Sequence, residues 1–200
     1  GGTLYRVTDE RALKFEIMRN DTLKIAMGGT TGVEIPFYPI GLYDKGGKPV
    51  TTMVACYAVH HDESVNIADA YTQEGFDFSG TKNFDKKTGY RSQSFLTVPM
   101  KNHENEIIGV LQLINAKDPG TNTVVPFSVA DQHLAESLAS QAAIALTNRL
   151  LIIHLQNLFE SLINLINAAI DDKSPYTSGH CERVPVLTML LAEGVNNVKV

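Results

Sequence analysis

The feature that most tightly bounds this chain is a stripe of apolar residues in its last third. Leu134, Leu138, Ala145, Ile152, Leu155, Phe159, Leu162, Ile166 and Ala169 follow one another in a heptad rhythm, with Gln141 and Asn148 filling the remaining slots. Such a rhythm keeps one side of an α-helix apolar turn after turn. Leu151, Leu158 and Leu165 widen that side beyond a two-strand seam. Ser128 is placed to cap the helix start, because its hydroxyl can accept from an orphan amide of the first turn. The end is expected near Asp171-Asp172-Lys173-Ser174-Pro175, since proline disfavours helical geometry in the residue before it. Globular helices average about 11 to 12 residues. A helix over 128–170 is far longer, so it predicts a partner: a homodimer, parallel or antiparallel, or a helix bundle. The alternative is one long helix folded onto its own domain. A further helix is predicted from about Ser178 towards Glu193.

The rest of the chain reads as strands and loops. Leu4–Val7 is a short strand, and Ala12–Met18 alternates with Leu13, Phe15 and Ile17 on one face. A period of two marks a half-buried strand. The polar stretch Thr8–Arg11 suits a hairpin between them. Asn20–Pro49 is rich in glycine and proline and predicts a loop with short extended pieces such as Val33–Phe37. A helix is expected over Val50–Val59, opened by Pro49. Val65–Ile67 reads as extended. Asp69–Gly89 is a long, partly structured excursion of the kind that often carries function. Ser94–Met100 and Ile107–Asn115 predict a hairpin across Lys101–Asn105, with a bulge or an edge at Pro99. The fold class expected is α+β, built on an antiparallel sheet.

Charge and composition exclude several functions. The net charge of −5, from 17 basic and 22 acidic side chains, lacks the basic excess of a nucleic-acid binder. No uninterrupted run approaches the roughly 18 apolar residues of a membrane span, so no membrane segment is expected. Cys56 and Cys181 are too far apart in sequence for a C-x-x-C pair, which argues against a disulfide framework or zinc knuckle. Cys56 lies in the apolar run Met53–Val59 and is expected to be buried and inert. These features suit a reducing, cytoplasmic setting. His60-His61-Asp62 reads as a solvated helix end rather than a metal site. Arg91 offers a guanidinium fork for an anionic ligand, or an ion pair with Asp69. Tyr57, Tyr71, Phe78 and Tyr90 can line an aromatic pocket or cap the core with their hydroxyls at the surface.

Several stretches carry a resemblance. Val65–Tyr71, Thr88–Ser94, Val98-Pro99-Met100, Ile108–Asn115 and Ser140–Leu146, in this order, resemble a GAF domain of the type found in cyclic-nucleotide phosphodiesterases and bacterial signalling proteins. The resemblance covers residues 1 to about 148 and implies a sheet with helices on one face and a ligand pocket on the other. The family's first helix would precede Gly1. The pocket candidates are Tyr57, Asn66, Asp69, Tyr71, Phe78, Tyr90, Arg91 and Ser92. In the cyclic-nucleotide-binding branch a motif of Asn-Lys, Phe and Asp-Glu recurs. Asn115, Phe127 and Asp131 match it, whereas Ala116 and Gln132 replace the Lys and the Glu, and Lys117 is the nearest substitute cation.

Ala169–Val184 resembles the start of an HD-GYP domain, a metal-dependent phosphodiesterase that hydrolyses cyclic-di-GMP. In that family His180 matches a histidine of the metal site. Some members carry a further ligand, a Glu, four residues earlier. Here that position is Tyr176, which implies a two-metal site in the full-length parent. One histidine cannot hold a catalytic metal, so no catalytic residue and no cofactor are expected within this stretch. The implied organisation is a GAF sensory domain over 1–148, a connector helix over 149–171 and the beginning of an HD-GYP domain over 172–200. The implied function is small-molecule sensing that controls the phosphodiesterase. A ligand-free dimerisation and relay module, a cyclic-nucleotide-binding GAF and a GAF-type methionine sulfoxide reductase are the alternatives. The last needs several reactive cysteines, and only Cys56 lies in the GAF region.

Overall fold

The computed structural model describes residues 1–173 and 180–197, with side chains described outside 171–182. Its strands are β1 (Gly2–Val7), β2 (Ala12–Asn20), β3 (Ile25–Gly28), β4 (Ile40–Gly41), β5 (Val65–Ile67), β6 (Phe95–Lys101), β7 (Ile107–Ile114), β8 (Ala116–Lys117) and β9 (Val124–Val125). The α-helices are α1 (Val54–His61), α2 (Ser79–Thr88), α3 (Val129–Lys173) and α4 (His180–Asn197). The main sheet runs β3-β2-β1-β7-β6-β5, every pair antiparallel, with β4 also against β2. The chain divides into two compact units, Gly1–Thr147 and Asn148–Val200.

One irregularity decides which side chains face where. Leu4 pairs with Ile17, yet the next residue, Tyr5, pairs with Phe15. Glu16 is therefore an extra residue, a β-bulge, and its carboxylate is held by Arg6 Nε at 2.7 Å. Directly opposed residues share a face of the sheet and neighbours along a strand alternate. Ile17 thus joins Leu4 on one face, while Phe15 and Met18 join Tyr5 and Thr3 on the other. The expected single face of Leu13, Phe15 and Ile17 is broken by the bulge.

On Leu4's face the sheet packs against α3. Leu96, Val98 and Met100 of β6 meet Ala135, Ala139 and Ala143, which are almost fully buried. Small side chains let the helix lie close to the strands. Ser128 caps α3 as expected: its Oγ accepts from Asp131 N at 3.1 Å, and its own N and Oγ donate to Asp131 Oδ2, each at 2.8 Å. This is a reciprocal capping arrangement. The opposite face of the sheet is covered by α1, where Ala55 and Cys56 pack on Tyr5, Leu13 and Val110. Helices therefore lie on both faces, in contrast to the one-face arrangement expected. Helix α1 also begins at Val54 rather than beside Pro49. Residues 42–50 fold into a small turn instead, with Tyr43 bridged to Pro49 and Asp44 Oδ1 accepting from Gly46 N and Lys48 N.

The heptad stripe of α3 is uncovered. Leu134, Leu138, Ile152, Leu155, Phe159, Leu162 and Ile166 are each half or more exposed. By length and composition alone, Val129–Ile170 is also long and apolar enough to cross a membrane. The polar interruptions near its C-terminal end are mostly amides and hydroxyls, which cost far less in a hydrophobic span than charges do.

Candidate ligand-binding site

A cavity of about 370 Å3 lies on the face of the sheet away from α3. Its floor is Thr3 and Tyr5 of β1, Phe15 and Met18 of β2, Phe95 of β6, and Gln112 and Ile114 of β7. Its walls are Ile25, Phe37, Ile40, the start of α1 at Val54 and Ala55, and Phe78, Gly80, Thr81 and Phe84 on and before α2. Tyr90 and Ser92 close the side where the chain returns to the sheet. An apolar concavity with a few placed polar groups is the usual form of a small-molecule site.

The polar groups are tied to one another. Tyr5 OH donates to Gln112 Oε1 at 3.3 Å, and Gln112 Nε2 donates to the fully buried Thr97 Oγ1 at 3.1 Å. Burial pushes the Tyr5 phenol far above its usual pKa, so it stays protonated. Asp85, on α2 and only 3% exposed, accepts from Tyr71 OH at 2.8 Å, Ser92 N at 2.7 Å and Ser92 Oγ at 2.8 Å. This hub fastens α2 to the cavity wall. Asn115, left-handed at φ 60°, fastens the same wall to the end of β7. Its Oδ1 accepts from Gln93 N at 2.7 Å, and its Nδ2 donates to Tyr90 OH at 2.9 Å and to Arg91 O at 2.7 Å.

At the mouth, Asp77 sits at the N-terminal end of α2. Its Oδ1 accepts from Ser79 N at 2.8 Å. The hydroxyl and amide of Ser79 hold its carboxyl below the usual carboxylate range, so it is ionised at neutral pH.

Of the eight pocket residues expected, Phe78, Tyr90 and Ser92 line the cavity and five do not. Tyr57 stacks on His61 with ring centres 3.9 Å apart. Asn66 Nδ2 donates to Phe127 O at 3.1 Å. Asp69 Oδ1 accepts from Tyr71 N, and its Oδ2 meets Arg91 Nη2 at 3.5 Å. Arg91 also lies over the Tyr71 ring, 4.5 Å from its centre. The guanidinium is thus occupied by the structural pair with Asp69. Thr3, Tyr5, Met18, Asp77, Phe84 and Gln112 are lining residues that sequence reasoning missed. Strand alternation of β1 and β7 would have found Thr3, Tyr5 and Gln112, once their partner strands were known. Asp77 has no such signal.

The partial motif residues all serve the scaffold. Asn115 holds the wall, Phe127 packs against the β6–α3 core, and Asp131 is engaged by Ser128. No ion pair joins Asp131 to Lys117 among the described residues. His60 Nε2 meets Leu42 O at 2.7 Å and Asp62 pairs with Lys101 at 2.7 Å, so His60-His61-Asp62 is a helix end held by local contacts. Among the described residues no three His, Cys, Asp or Glu side chains converge to hold a metal. The side chains of His180 and Cys181, and all of Tyr176, lie outside the described residues. Cys56 is fully buried, and burial pushes its thiol up to about 11.

Comparison with known proteins follows this geometry. Residues 27–146 match the family described as "GAF domain". The chain is 36% identical over 92 residues to a dual 3',5'-cyclic-AMP and -GMP phosphodiesterase 11A of Takifugu rubripes, covering 46% of this chain and 9% of that protein. It is 30% identical over 145 residues to a cGMP-specific 3',5'-cyclic phosphodiesterase of Drosophila ananassae, covering 72% of this chain and 10% of that protein. The chain therefore spans about a tenth of the length of these relatives. A solved GAF domain/HD domain protein from Geobacter sulfurreducens is similar at 17% identity and a TM-score of 0.45, with 78% of this chain and 80% of that chain covered.

Proposed function

The chain belongs to the GAF domain family, a family of sensing and regulatory domains, and we propose that it senses a small molecule in the cavity above β1, β2 and β7. The observation that carries this reading is the way the cavity wall is built. Tyr90 and Ser92 line the cavity, and Asn115 ties that wall to the strand end from which the chain continues to α3. A ligand that displaces the wall acts on that connection. Such a signal requires different ligand affinity in two states of the wall.

In this reading α3 is the output. Its exposed heptad stripe is the homodimer seam, and the helix relays occupancy of the cavity to a metal-dependent phosphohydrolase of HD-GYP type acting on cyclic-di-GMP. The support for that continuation is the residue pattern Ala169–Val184. The divalent metals and the hydrolysis belong to that following domain, and the setting is cytoplasmic. A second reading, a cyclic nucleotide in the cavity, is favoured by what the two curated relatives are named for.

Native mass spectrometry of freshly purified protein tests the reading. The expected result is a dimer that retains one small molecule per chain, or that takes one up from a metabolite panel. A bare monomer that gains nothing from the panel overturns it.

A further inference from the structure

One wall of the cavity is held by side chains alone. Val33 O accepts from Gly28 N at 2.8 Å, and Ile40 pairs with Leu13 in β4. Between them, no backbone hydrogen bond among the described residues fixes the chain over 34–39. Pro36 and Pro39 carry no N–H and fix their own φ, which makes the stretch a stiff strap rather than a slack loop. Its first root is closely seated. Gly28 has φ 72°, and a Cβ there would come 2.8 Å from Ile35 Cδ1, so Ile35 rests where only glycine fits. Its other root, β4, is two residues long.

Phe37 fastens the middle of the strap. Its ring centre lies 5.4 Å from that of Phe15, which lies 4.8 Å from that of Tyr5. Phe15 and Phe37 line the cavity, and both also line a surface groove walled by Gly28, Gly32, Val33 and Glu34. The ring pair is thus the partition between cavity and groove. Phe37 is nevertheless 45% exposed, and its neighbour Tyr38 is 94% exposed. A segment with few buried contacts and no ladder belongs to the low end of local stability. An apolar group set against the cavity side of Phe37 adds burial there and steadies it.

Resting on the reading of this cavity as the ligand site, we propose that residues 34–39 are its side door and Phe37 the latch. The ligand passes when Phe37 lifts off Phe15 and the cavity opens into the groove. A ligand with an apolar face against Phe37 holds the door shut, whatever polar groups it carries elsewhere. The strap therefore sets how long the ligand stays.

The test uses the full chain and N-phenyl-1-naphthylamine, a dye that brightens in apolar sites. Gly80→Phe defines binding inside the cavity. Gly80 lines it, and a Cβ there meets no atom within 4 Å. Thr81→Phe is a second blocking substitution on the same wall. The fluorescence lost in both blocked variants is the cavity component. In stopped flow, its release into excess methyl-β-cyclodextrin should be about fivefold or more faster in Phe37→Ala. Association should quicken too, because a door gates both directions, whereas a merely lost contact speeds release alone. Pro36→Gly, which frees the strap and leaves every ring in place, should also speed both. Chymotrypsin gives a second readout at the Phe37–Tyr38 bond, since Pro39 protects the bond after Tyr38. Saturating dye should slow that cleavage severalfold in the wild type and not in Gly80→Phe. Unchanged rates in both strap variants, faster release with unchanged association, or cleavage indifferent to dye overturns the side door while leaving the cavity a ligand site. If no fluorescence component is sensitive to the blocking substitutions, the sensing reading fails and the door with it.

Discussion

Asp85→Ala should be the most damaging single polar substitution around the cavity. The carboxylate is 3% exposed and accepts three hydrogen bonds, two of them from the buried Ser92. Removing it strands the Ser92 amide and hydroxyl without water. Each buried unsatisfied donor costs about 1–3 kcal/mol, and loss of a buried charged partner costs about 3–5 kcal/mol in all. We expect roughly 3–5 kcal/mol for Asp85→Ala, or a fall in Tm of roughly 10 °C. Asp85→Asn keeps the volume and one accepting oxygen but turns an NH2 towards a donor, so about half that loss is expected. Tyr71→Phe removes only the more exposed partner and should do less than either. Urea denaturation followed by tyrosine fluorescence suits the measurement. The chain has no tryptophan, and six of its seven tyrosines precede residue 148. A double-mutant cycle with Ser92→Ala should show coupling of about 1–2 kcal/mol, because Ser92→Ala removes one of the stranded donors. A loss below about 1 kcal/mol for Asp85→Ala, or identical losses for Ala and Asn, would refute the hub as the source of stability.

Three further outcomes are expected. The Ser128 amide, then its hydroxyl, hold the Asp131 carboxyl below its ordinary value of 3.8. A carboxyl depressed on folding stabilises above its unfolded pKa and loses that contribution as pH falls through its folded value. The first turn of α3 should therefore lose amide-exchange protection below about pH 4, and Ser128→Ala should weaken it by about 1 kcal/mol near neutral pH. Ile152→Glu with Phe159→Glu, both on the exposed stripe, should turn a dimer into a monomer by light scattering; a wild-type monomer, or a dimeric variant, counts against the seam. The Cys56 thiol, pushed up to about 11 by burial, should resist iodoacetamide at pH 8 in folded protein, as read by peptide mass spectrometry, and react once urea unfolds it.

The sequence was most legible where pattern and partner coincide. The β6–β7 hairpin shows in its own alternation, and the Ser128 cap and the α3 stripe show in their spacing. β3 was hidden, because only four residues after a turn carry it, and its pairing with β2 is a property of the partner strand. The cavity was legible in part for a related reason. Its lining comes from many separate segments, and side chains with evident chemistry need not face it. Arg91 and Tyr71 carry the most suggestive functional groups in the excursion, yet both are committed to carboxylates, at Asp69 and Asp85. Tyr5 and Gln112 look like ordinary strand residues until the sheet sets them side by side.

The bulge at Glu16 has an evolutionary consequence. In a loop, a gain or loss of one residue is usually silent. At Glu16 it would be silent too: without that residue Phe15 and Ile17 still oppose Tyr5 and Leu4, so plain alternation returns and every side chain keeps its face. Met18 would stay opposite Thr3 on the cavity floor, and the hairpin with β1 would stay paired. Relatives of this domain can therefore lose the bulge residue without exchanging any side chain that faces the ligand. An alignment that closes such a gap by sliding the strand one residue would misassign the residues that read the ligand.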